Sequence, residues 1–336
     1  MAEQIKISAL TGGLNSPSAR FRIRQYIPKL TQLGLFVREY IPFFHDNCGL
    51  PSIFKAISQV PGVIASHKTD LTWLDRELVQ GYETFERFLK KPCVMEVDDS
   101  IWLNKPFGKY AIPRIARRVD TIIAGNSYLA DWFSQYCKNI FVLPTVIDTD
   151  RYTQKSDYSE KFTIGWTGMA CCYNYIKFIE RPLSRFLQKH PEVEMLFVAE
   201  RPYKSSIIPS DRIRFYRWNE QVETSALKEM SVGIVSLPDD KWTRGKCSLK
   251  MLGYMSAGLP VVASPVGANN EILAKGQAGF AAKSEDEWFE ALETIYKDYS
   301  LRIKLGNNGR KIVEQYYSIT ANVSKLADIL KKSAGM

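Results

Sequence analysis

Short apolar runs alternate with longer segments of helical spacing along the whole chain. Apolar runs rich in Val and Ile, each followed by an amphipathic segment, are typical of parallel strands joined by helices. Helices are predicted over Leu71–Leu89 and Ser127–Tyr136, among others. The predicted strands are Ile5–Leu10, Phe36–Ile41, Gly62–Ser66, Cys93–Val97, Thr121–Ala124, Ile140–Leu143, Phe162–Trp166, Glu194–Val198, Ile213–Tyr216, Val232–Ser236 and Pro260–Ala263.

The alternation occurs in two successive series. Two series predict an α/β protein with two doubly wound domains, and the polar segment Asp148–Lys161 is the predicted linker between them. The length of 336 residues agrees with this division, because domains average roughly 150 residues.

Composition narrows the class of protein. Lys and Arg number 45 against 36 Asp and Glu, a net charge of +9 that favours anionic partners such as nucleotides, nucleic acid or acidic lipids. The basic residues are scattered and the aromatic residues form no stacking module, so we expect no nucleic acid partner. The six cysteines show no metal-binding or disulfide spacing. No secretory signal or long apolar run is present, which predicts a cytoplasmic protein with at most peripheral membrane contact.

The strongest chemical signal follows the predicted strand Val232–Ser236. The next loop carries Arg244 and Lys246 on either side of Gly245, directly before a helix predicted to begin near Cys247 or Ser248. Two cations beside free helix N–H groups form a suitable diphosphate site. The alternative is two solvated cations on a surface loop.

Two features of the first half suggest further ligand contacts. Gly12 and Gly13 follow the first strand, where they either let a phosphate approach the backbone or merely serve a turn. Asp98 and Asp99 follow the strand Cys93–Val97. We expect Asp99 or Ser100 to cap a helix and Asp98 to accept hydrogen bonds from sugar hydroxyls; a metal site is the lesser alternative.

Other candidates also follow predicted strands. His67 is a candidate for a ligand contact, with a histidine that serves only the structure as the alternative. Trp218 is a candidate for stacking on a base, with a core aromatic as the alternative. Glu271 either contributes to the site or only caps a helix.

The runs Gly165–Gly168 and Lys246–Glu271 resemble the corresponding motifs of retaining glycosyltransferases of the GT-B fold, family 4. The resemblance extends over nearly the full chain. It implies two Rossmann-like domains facing a cleft, with the last helix crossing back onto the N-terminal domain. The domains would be 1–155 together with 317–336, on the acceptor side, and 156–316, which would bind a nucleotide-sugar. It also implies transfer with retention, without a metal or other cofactor.

The chain departs from the family motifs at several positions. The two carboxylates of the family's Glu-x7-Glu motif fall at Gly245 and Gly253, and a family arginine falls at Gly168. The family's histidine that contacts the sugar aligns with Asp98. These differences indicate a divergent subgroup with Asp-Asp-Ser-Ile-Trp and Trp-Thr-Arg-Gly-Lys motifs, in which Arg244 and Lys246 replace the missing phosphate cation.

The resemblance implies transfer of a hexose, with UDP-glucose the expected donor, to a glycan or lipid-linked acceptor in cell-envelope or exopolysaccharide synthesis. The alternatives are a non-catalytic nucleotide-sugar-binding or scaffold protein and a GT-B nucleotide-sugar epimerase. The catalytic candidates are Asp98, Arg244 and Lys246. The acceptor-side candidates are His67, Asp99 and Trp102. The donor-binding candidates are Gly12, Gly13, Gly168, Arg217, Trp218, Arg244, Gly245, Lys246, Cys247, Ser248, Lys250, Asn270 and Glu271.

A membrane surface is a further candidate partner. The segment from Trp102 to Arg118 interleaves aromatic and aliphatic residues with cations, a pattern that suits an anionic leaflet. It would place the protein peripherally on the inner face of the cytoplasmic membrane. The alternative is a helix packed on the sheet through Ile112 and Ile115, with Arg114, Arg117 and Arg118 solvated.

Overall fold

The computed structural model describes residues 4–44, 51–155, 157 and 161–335. The chain divides into two compact units. The first unit contains Met1–Val146, Arg244–Cys247 and Ile319–Met336; the second contains Ile147–Thr243 and Ser248–Ser318. The division therefore follows Val146, ahead of the predicted boundary at 155, and the last part of the predicted linker, at 156 and 158–160, lies outside the described residues.

The first unit is built on a six-stranded parallel sheet with strand order β2-β1-β3-β4-β5-β6. Its strands are β1 (Ile5–Leu10), β2 (Leu35–Tyr40), β3 (Leu71–Asp75), β4 (Cys93–Val97), β5 (Thr121–Ala124) and β6 (Ile140–Val142). Its helices are α1 (Ile27–Gln32), α2 (Ser52–Ser66), α3 (Gly108–Arg118), α4 (Ser127–Phe133) and, at the end of the chain, α12 (Ile319–Ser333).

The second unit repeats this architecture with strand order β12-β11-β10-β7-β8-β9. Its strands are β7 (Thr163–Thr167), β8 (Glu194–Ala199), β9 (Ile213–Arg217), β10 (Val232–Val235), β11 (Val261–Ala263) and β12 (Gly279–Ala281). Its helices are α5 (Tyr173–Lys177), α6 (Glu180–Lys189), α7 (Glu220–Ser225), α8 (Leu249–Ser256), α9 (Ala268–Leu273), α10 (Glu285–Lys297) and α11 (Tyr299–Ile312).

Helix α12 joins the core of the first unit. Leu326 and Leu330 on its apolar face are fully buried in one cluster with Ile5, Ile7 and Tyr26. Burial of such a face against the sheet is favourable because removal of apolar surface from water lowers the free energy. The doubly wound fold and the return of the last helix to the N-terminal unit, both predicted from the sequence, are confirmed.

Two predicted elements of the first unit are wrong. The predicted strand Gly62–Ser66 is the end of α2, and the predicted helix Leu71–Leu89 begins with strand β3. Every residue of β3 is buried, so its apolar run does not alternate. A fully buried strand and a segment of buried helix cannot be distinguished by periodicity alone. The three-residue strand β12 was not predicted.

The segment Trp102–Arg118 is packed into the first unit. Ile112 and Ile115 of α3 are fully buried, and the ring of Trp102 stacks on that of Trp132 at 4.1 Å between centroids. Arg118 forms an ion pair with Glu83. Ile112, Ile115 and Trp102 are therefore core residues, as in the packed-helix alternative, whereas Phe107 and Tyr110 of the same segment are exposed, and contact with a membrane surface remains a prediction. Within the described ranges, no helix is both long and apolar enough to cross a bilayer.

A buried ion pair joins the first unit's sheet to the segment before α1. The Nε and Nη2 atoms of Arg22 donate to Glu96 Oε2 at 2.9 and 2.6 Å, and Nη1 donates to Leu143 O at 2.8 Å. Both side chains are almost fully buried. Burial raises the pKa of Glu96 to about 7, although the charge of Arg22 opposes this shift.

Replacing Arg22 alone is expected to destabilise the protein strongly. Arg22→Met leaves Glu96 buried without its cation, a loss of about 3–5 kcal/mol in the free energy of unfolding near neutral pH. The loss should shrink towards acidic pH, because a protonated Glu96 needs no cation. Arg22→Met/Glu96→Leu should recover most of the stability. Urea unfolding of the three proteins checks this, and a double variant no more stable than Arg22→Met would contradict it.

Candidate functional site

Candidate ligand-binding residues lie at or just after the ends of four adjacent strands of the first sheet. Gly12 comes after β1, Asp75 ends β3, Asp98 follows β4 and Asn126 follows β5. Because parallel strands end at the same edge, these residues lie along the carboxyl edge of the sheet, where doubly wound folds bind ligands. Asp75 was not predicted, because its strand was assigned to a helix.

Arg76 organises two carboxylates at this edge. Its Nε donates to Asp98 Oδ1 at 2.6 Å and its Nη2 to Asp99 Oδ2 at 2.8 Å. Arg76 has a left-handed backbone with φ of +60°, a conformation that is strained for a side chain of this size and often marks functional sites. The Asp99 side chain thus binds Arg76 instead of capping a helix, and Ser100 makes no side-chain cap either.

The loop after β10 contributes four residues to the first unit. In this segment, Arg244–Cys247, the carbonyls of Arg244 and Lys246 both accept from Asn126 Nδ2 at 3.3 Å. The Cys247 thiol donates to Asp98 O at 3.3 Å. The Asp-Asp-Ser-Ile-Trp and Trp-Thr-Arg-Gly-Lys motifs are therefore in direct contact.

Gly245 is fitted closely against Ser100. A Cβ atom at Gly245 would lie 2.2 Å from Ser100 Oγ and 2.7 Å from Ser100 N, closer than real contacts allow. Gly253 differs, because a Cβ there would meet its nearest neighbours at 4.0 Å. The absence of the first family carboxylate is therefore imposed by packing, whereas that of the second is not.

Lys246 and Cys247 of this segment lie near carboxylates. Lys246 Nζ is 3.7 Å from Asp99 Oδ1. Cys247 is half-buried, and desolvation together with the charge of Asp98 raises the pKa of its thiol to about 12. The raised pKa favours the neutral thiol, which donates to Asp98 O. The role of Arg244 and Lys246 at a diphosphate remains a prediction.

The backbone groups of the two glycines after β1 form hydrogen bonds with neighbouring side chains. Gly12 N donates to Asp75 Oδ2 at 3.2 Å, and Gly13 O accepts from Arg24 Nη2 at 3.1 Å. Gly13 has a φ of +151°, a conformation that L side chains rarely adopt. Since the Gly12 amide is bound to Asp75, it does not point freely at a phosphate in this structure.

In the second unit, Lys250 lies over the glycine that follows β7. A Cβ atom at Gly168 would lie 2.3 Å from Lys250 Cε and 2.8 Å from its Nζ, so the lysine occupies the space of a side chain at position 168. The ammonium is also 4.7 Å from the centre of the Trp166 ring, a cation–π distance. Lys250 thus brings a positive charge to Gly168, the position at which the resemblance implies an arginine.

The start of α8 lies at the same edge. Ser248 precedes the helix in a left-handed conformation, φ +59°, and does not cap it; its Oγ donates to Asn269 Oδ1 at 2.6 Å. Asn269 Nδ2 in turn donates to Ser264 O at 2.9 Å. The first turn of α8 therefore presents N–H groups and a positive dipole end without a serine cap. The helix begins at Leu249, slightly later than predicted.

The remaining donor-side candidates lie at the surface of the second unit. Arg217 ends the edge strand β9, and Trp218, about one-third exposed, donates its backbone N–H to Ala199 O at 2.8 Å. Asn270 and Glu271 are exposed in the first turn of α9, whereas the buried Asn269 makes the structural contacts that sequence reasoning missed. Trp218 is thus accessible, and stacking on a base remains a prediction for it.

Two acceptor-side candidates make contacts with other residues of the first unit. His67 caps the end of helix α2, and its Nε2 atom is 2.9 Å from Phe88 O. A residue between α2 and β3 lies at the amino edge of the sheet, away from Asp98. Trp102 is buried among Trp132, Phe133 and Tyr128. The ring of Trp102 is thus part of the core and His67 lies at the opposite edge, whereas Asp99 lies at the carboxyl edge.

The fold of the chain is the GT-B fold of known glycosyltransferases. Residues 161–298 match the family described as "Glycosyl transferases group 1". Sucrose-phosphate synthase from Thermosynechococcus elongatus superposes with a TM-score of 0.73 at 13% identity, over 98% of this chain and 99% of that one. HepE from Anabaena, solved with UDP-glucose, superposes with a TM-score of 0.72 at 15% identity, over 98% and 100%. No curated protein sequence matches the chain.

Alanine substitutions at Gly245 and Gly253 should change the stability of the protein in different ways. Gly245→Ala is expected to destabilise the protein by about 1–3 kcal/mol, because the Cβ overlaps the Ser100 backbone. Gly253→Ala, in open space within α8, should be neutral or stabilise by up to about 1 kcal/mol. Thermal and urea unfolding measure both, and equal effects of the two substitutions would contradict this description of Gly245.

Proposed function

We propose that this protein is a glycosyltransferase that moves a sugar from a nucleoside diphosphate to an acceptor hydroxyl. The observation that carries the proposal is the start of α8, where an N-terminus without a serine cap and Lys250 meet above Gly168 at the carboxyl edge of the second sheet. The family match over 161–298 and the GT-B fold support the same reaction class.

The diphosphate is assigned to α8 and Lys250. A helix N-terminus and a lysine that is already partly desolvated by Trp166 provide charge-assisted donors for phosphate oxygens. Lys250 lies directly over Gly168, in the same unit as the start of α8, so we assign it the larger contribution to diphosphate binding, with Arg244 and Lys246 in a supporting role.

The sugar is assigned to Asp98. Among the described residues, the hydrogen bonds and ion pairs of its carboxylate all involve Oδ1, which Ser18 and Arg76 hold. Its other oxygen, Oδ2, remains to accept from a sugar hydroxyl. The carboxylate is mostly buried and fixed by charged hydrogen bonds, so its orientation is set before a ligand binds.

The donor in this proposal is a UDP-sugar, with UDP-glucose first. HepE was solved with UDP-glucose, and the pneumococcal O-GlcNAc transferase GtfA, with a TM-score of 0.61, was solved with UDP and GlcNAc. The proposal extends to retention, to independence from metal, and to a glycan or lipid-linked acceptor in envelope or exopolysaccharide synthesis. It includes a cytoplasmic location with peripheral contact to an anionic membrane.

The chemistry follows from charge. As the glycosidic bond breaks, negative charge accumulates on the leaving β-phosphate, and fixed positive groups stabilise this change more than they stabilise the bound donor. Lys250 and the N–H groups of α8 supply that stabilisation. The departing phosphate oxygen accepts the proton of the acceptor hydroxyl, so no protein nucleophile is required.

Removing the Lys250 ammonium should weaken UDP binding. A charge-assisted contact of this kind contributes about 1.5–3 kcal/mol, so Lys250→Ala should reduce UDP affinity about tenfold or more. Calorimetric titration measures UDP and, as a ligand without phosphate, uridine, whose binding should not change. Lys246→Ala is the matched comparison and should have a smaller effect. If Lys250→Ala leaves UDP affinity unaltered, the diphosphate is held elsewhere.

Asp98→Asn tests the sugar contact. The variant should bind UDP like the parent protein yet lose most transfer, because an amide replaces the carboxylate that accepts from the sugar. Released UDP is measured with UDP-glucose and candidate acceptors, and Asp70→Asn, at an exposed aspartate, is the control. Loss of UDP binding in Asp98→Asn would contradict the assignment.

The same assay of the parent protein separates the alternative functions. UDP binding without turnover of any donor would identify a binding protein. Conversion of the nucleotide-sugar in the absence of an acceptor would identify an epimerase.

A further inference from the structure

One serine hydroxyl in the first unit lies between two carboxyl groups. Ser18 Oγ is hydrogen-bonded to Asp75 Oδ1 and lies 3.1 Å from Asp98 Oδ1. A hydroxyl has a single hydrogen to donate, and an ionised carboxylate can only accept. If both carboxyl groups were ionised, one of the two contacts would bring together lone pairs without a hydrogen.

The neighbours of the two aspartates differ. Asp98 Oδ1 also receives the guanidinium of Arg76, which favours its ionised form. In the described part of the chain, the side chain of Asp75 has only neutral hydrogen-bond partners, Ser18 and Gly12 N. Asp75 is also the more buried of the two, and burial followed by the charge of Asp98 raises its pKa against the effect of Arg76.

The charged groups that surround Asp75 are already paired. Arg76, at the end of the same strand, binds Asp98 and Asp99 of the β4 side. Arg22, from the segment before α1, binds Glu96 of β4. Both arginines are thus engaged by other carboxylates, and the additional negative charge of an ionised Asp75 would have no cation of its own.

We infer that Asp75 is a neutral carboxylic acid that donates a hydrogen bond to Ser18 and, through the Ser18 hydroxyl, positions Asp98. Each hydrogen is then accounted for: the Asp75 proton lies on the bond to Ser18 Oγ, and the serine hydrogen on the bond to Asp98 Oδ1. Asp75 is a positioning residue, since it acts through Ser18. The role in positioning rests on the proposed function of Asp98, whereas the protonation of Asp75 does not.

Ionisation of Asp75 would reverse this arrangement. The Ser18 hydrogen would be drawn to the new carboxylate, so Asp98 Oδ1 would lose one of its donors and gain a negative neighbour. Asp98 would then be held less firmly, and transfer would decline as the pH rises through the pKa of Asp75. Asparagine at position 75 keeps the donor to Ser18 and cannot ionise.

Infrared difference spectroscopy of the whole protein tests the protonation directly. The parent at neutral pH should show the carbonyl band of a protonated carboxyl group that Asp75→Asn lacks and that disappears at alkaline pH. Asp70→Asn, at an exposed aspartate whose Oδ2 accepts from Lys6 N, should retain the band. A parent spectrum that lacks any band removed by Asp75→Asn overturns the inference, whether or not the protein transfers sugar.

The pH profile of transfer tests the positioning. Asp75→Asn should keep a kcat close to that of the parent and lose the alkaline decline. Asp75→Ala and Ser18→Ala should lower kcat by up to about 100-fold, as expected when a substrate contact is displaced. An Asn variant as inactive as Asp75→Ala, or one that keeps the alkaline decline, overturns the positioning role. A parent without turnover but with the infrared band would refute the proposed function and leave the protonation intact.

Discussion

The guanidinium of Arg76, which bridges the carboxylates of Asp98 and Asp99, is the contact on which the first unit's site depends. Parallel strands deliver their last residues to one edge, and here that edge collects Asp75, Glu96 and the Asp98–Asp99 pair within a largely buried region. Carboxylates so close together repel unless cations or protons compensate them. Arg76 compensates two of them, Arg22 compensates Glu96, and we assign a proton to Asp75.

This electrostatic arrangement explains why the two unusual motifs occur together. The Arg244–Cys247 segment contacts the Asp98–Ser100 turn through a lysine, a thiol and a glycine that has no room for a side chain. A glutamate at position 245, as in the related family, would add another negative charge and overlap Ser100. Gly245 and the paired aspartates thus belong to one set of contacts.

In the second unit, the cation proposed for the phosphate is a lysine near the glycine at which the resemblance implies an arginine. A lysine from α8 extends over Gly168, whose φ of +151° is a conformation that L side chains rarely adopt. Ser248 turns away from the helix towards Asn269, which leaves the start of α8 to a ligand. The charge therefore originates from a different element but reaches a corresponding place at the sheet edge.

Much of this could be predicted from the sequence. The alternation of strands and helices and the Lys246–Glu271 motif defined the fold, and the Asp98–Asp99 pair was recognised because charged residues directly after a buried strand have no role in packing. Asp75 and Arg76 were missed because β3 is buried on both faces and has no period of its own, and Ser18 was missed because its contact partners are distant in sequence. Lys250 was included as a candidate, but its position over Gly168 depends on packing between two elements distant in sequence.

The central claim is that this chain binds a nucleoside diphosphate sugar. Calorimetric titration of the full chain with UDP-, GDP- and ADP-sugars, with and without a divalent metal, tests it most directly. The account predicts saturable binding, strongest for UDP-sugars and unaffected by removal of the metal. Absence of binding to every nucleotide-sugar in the panel would contradict it.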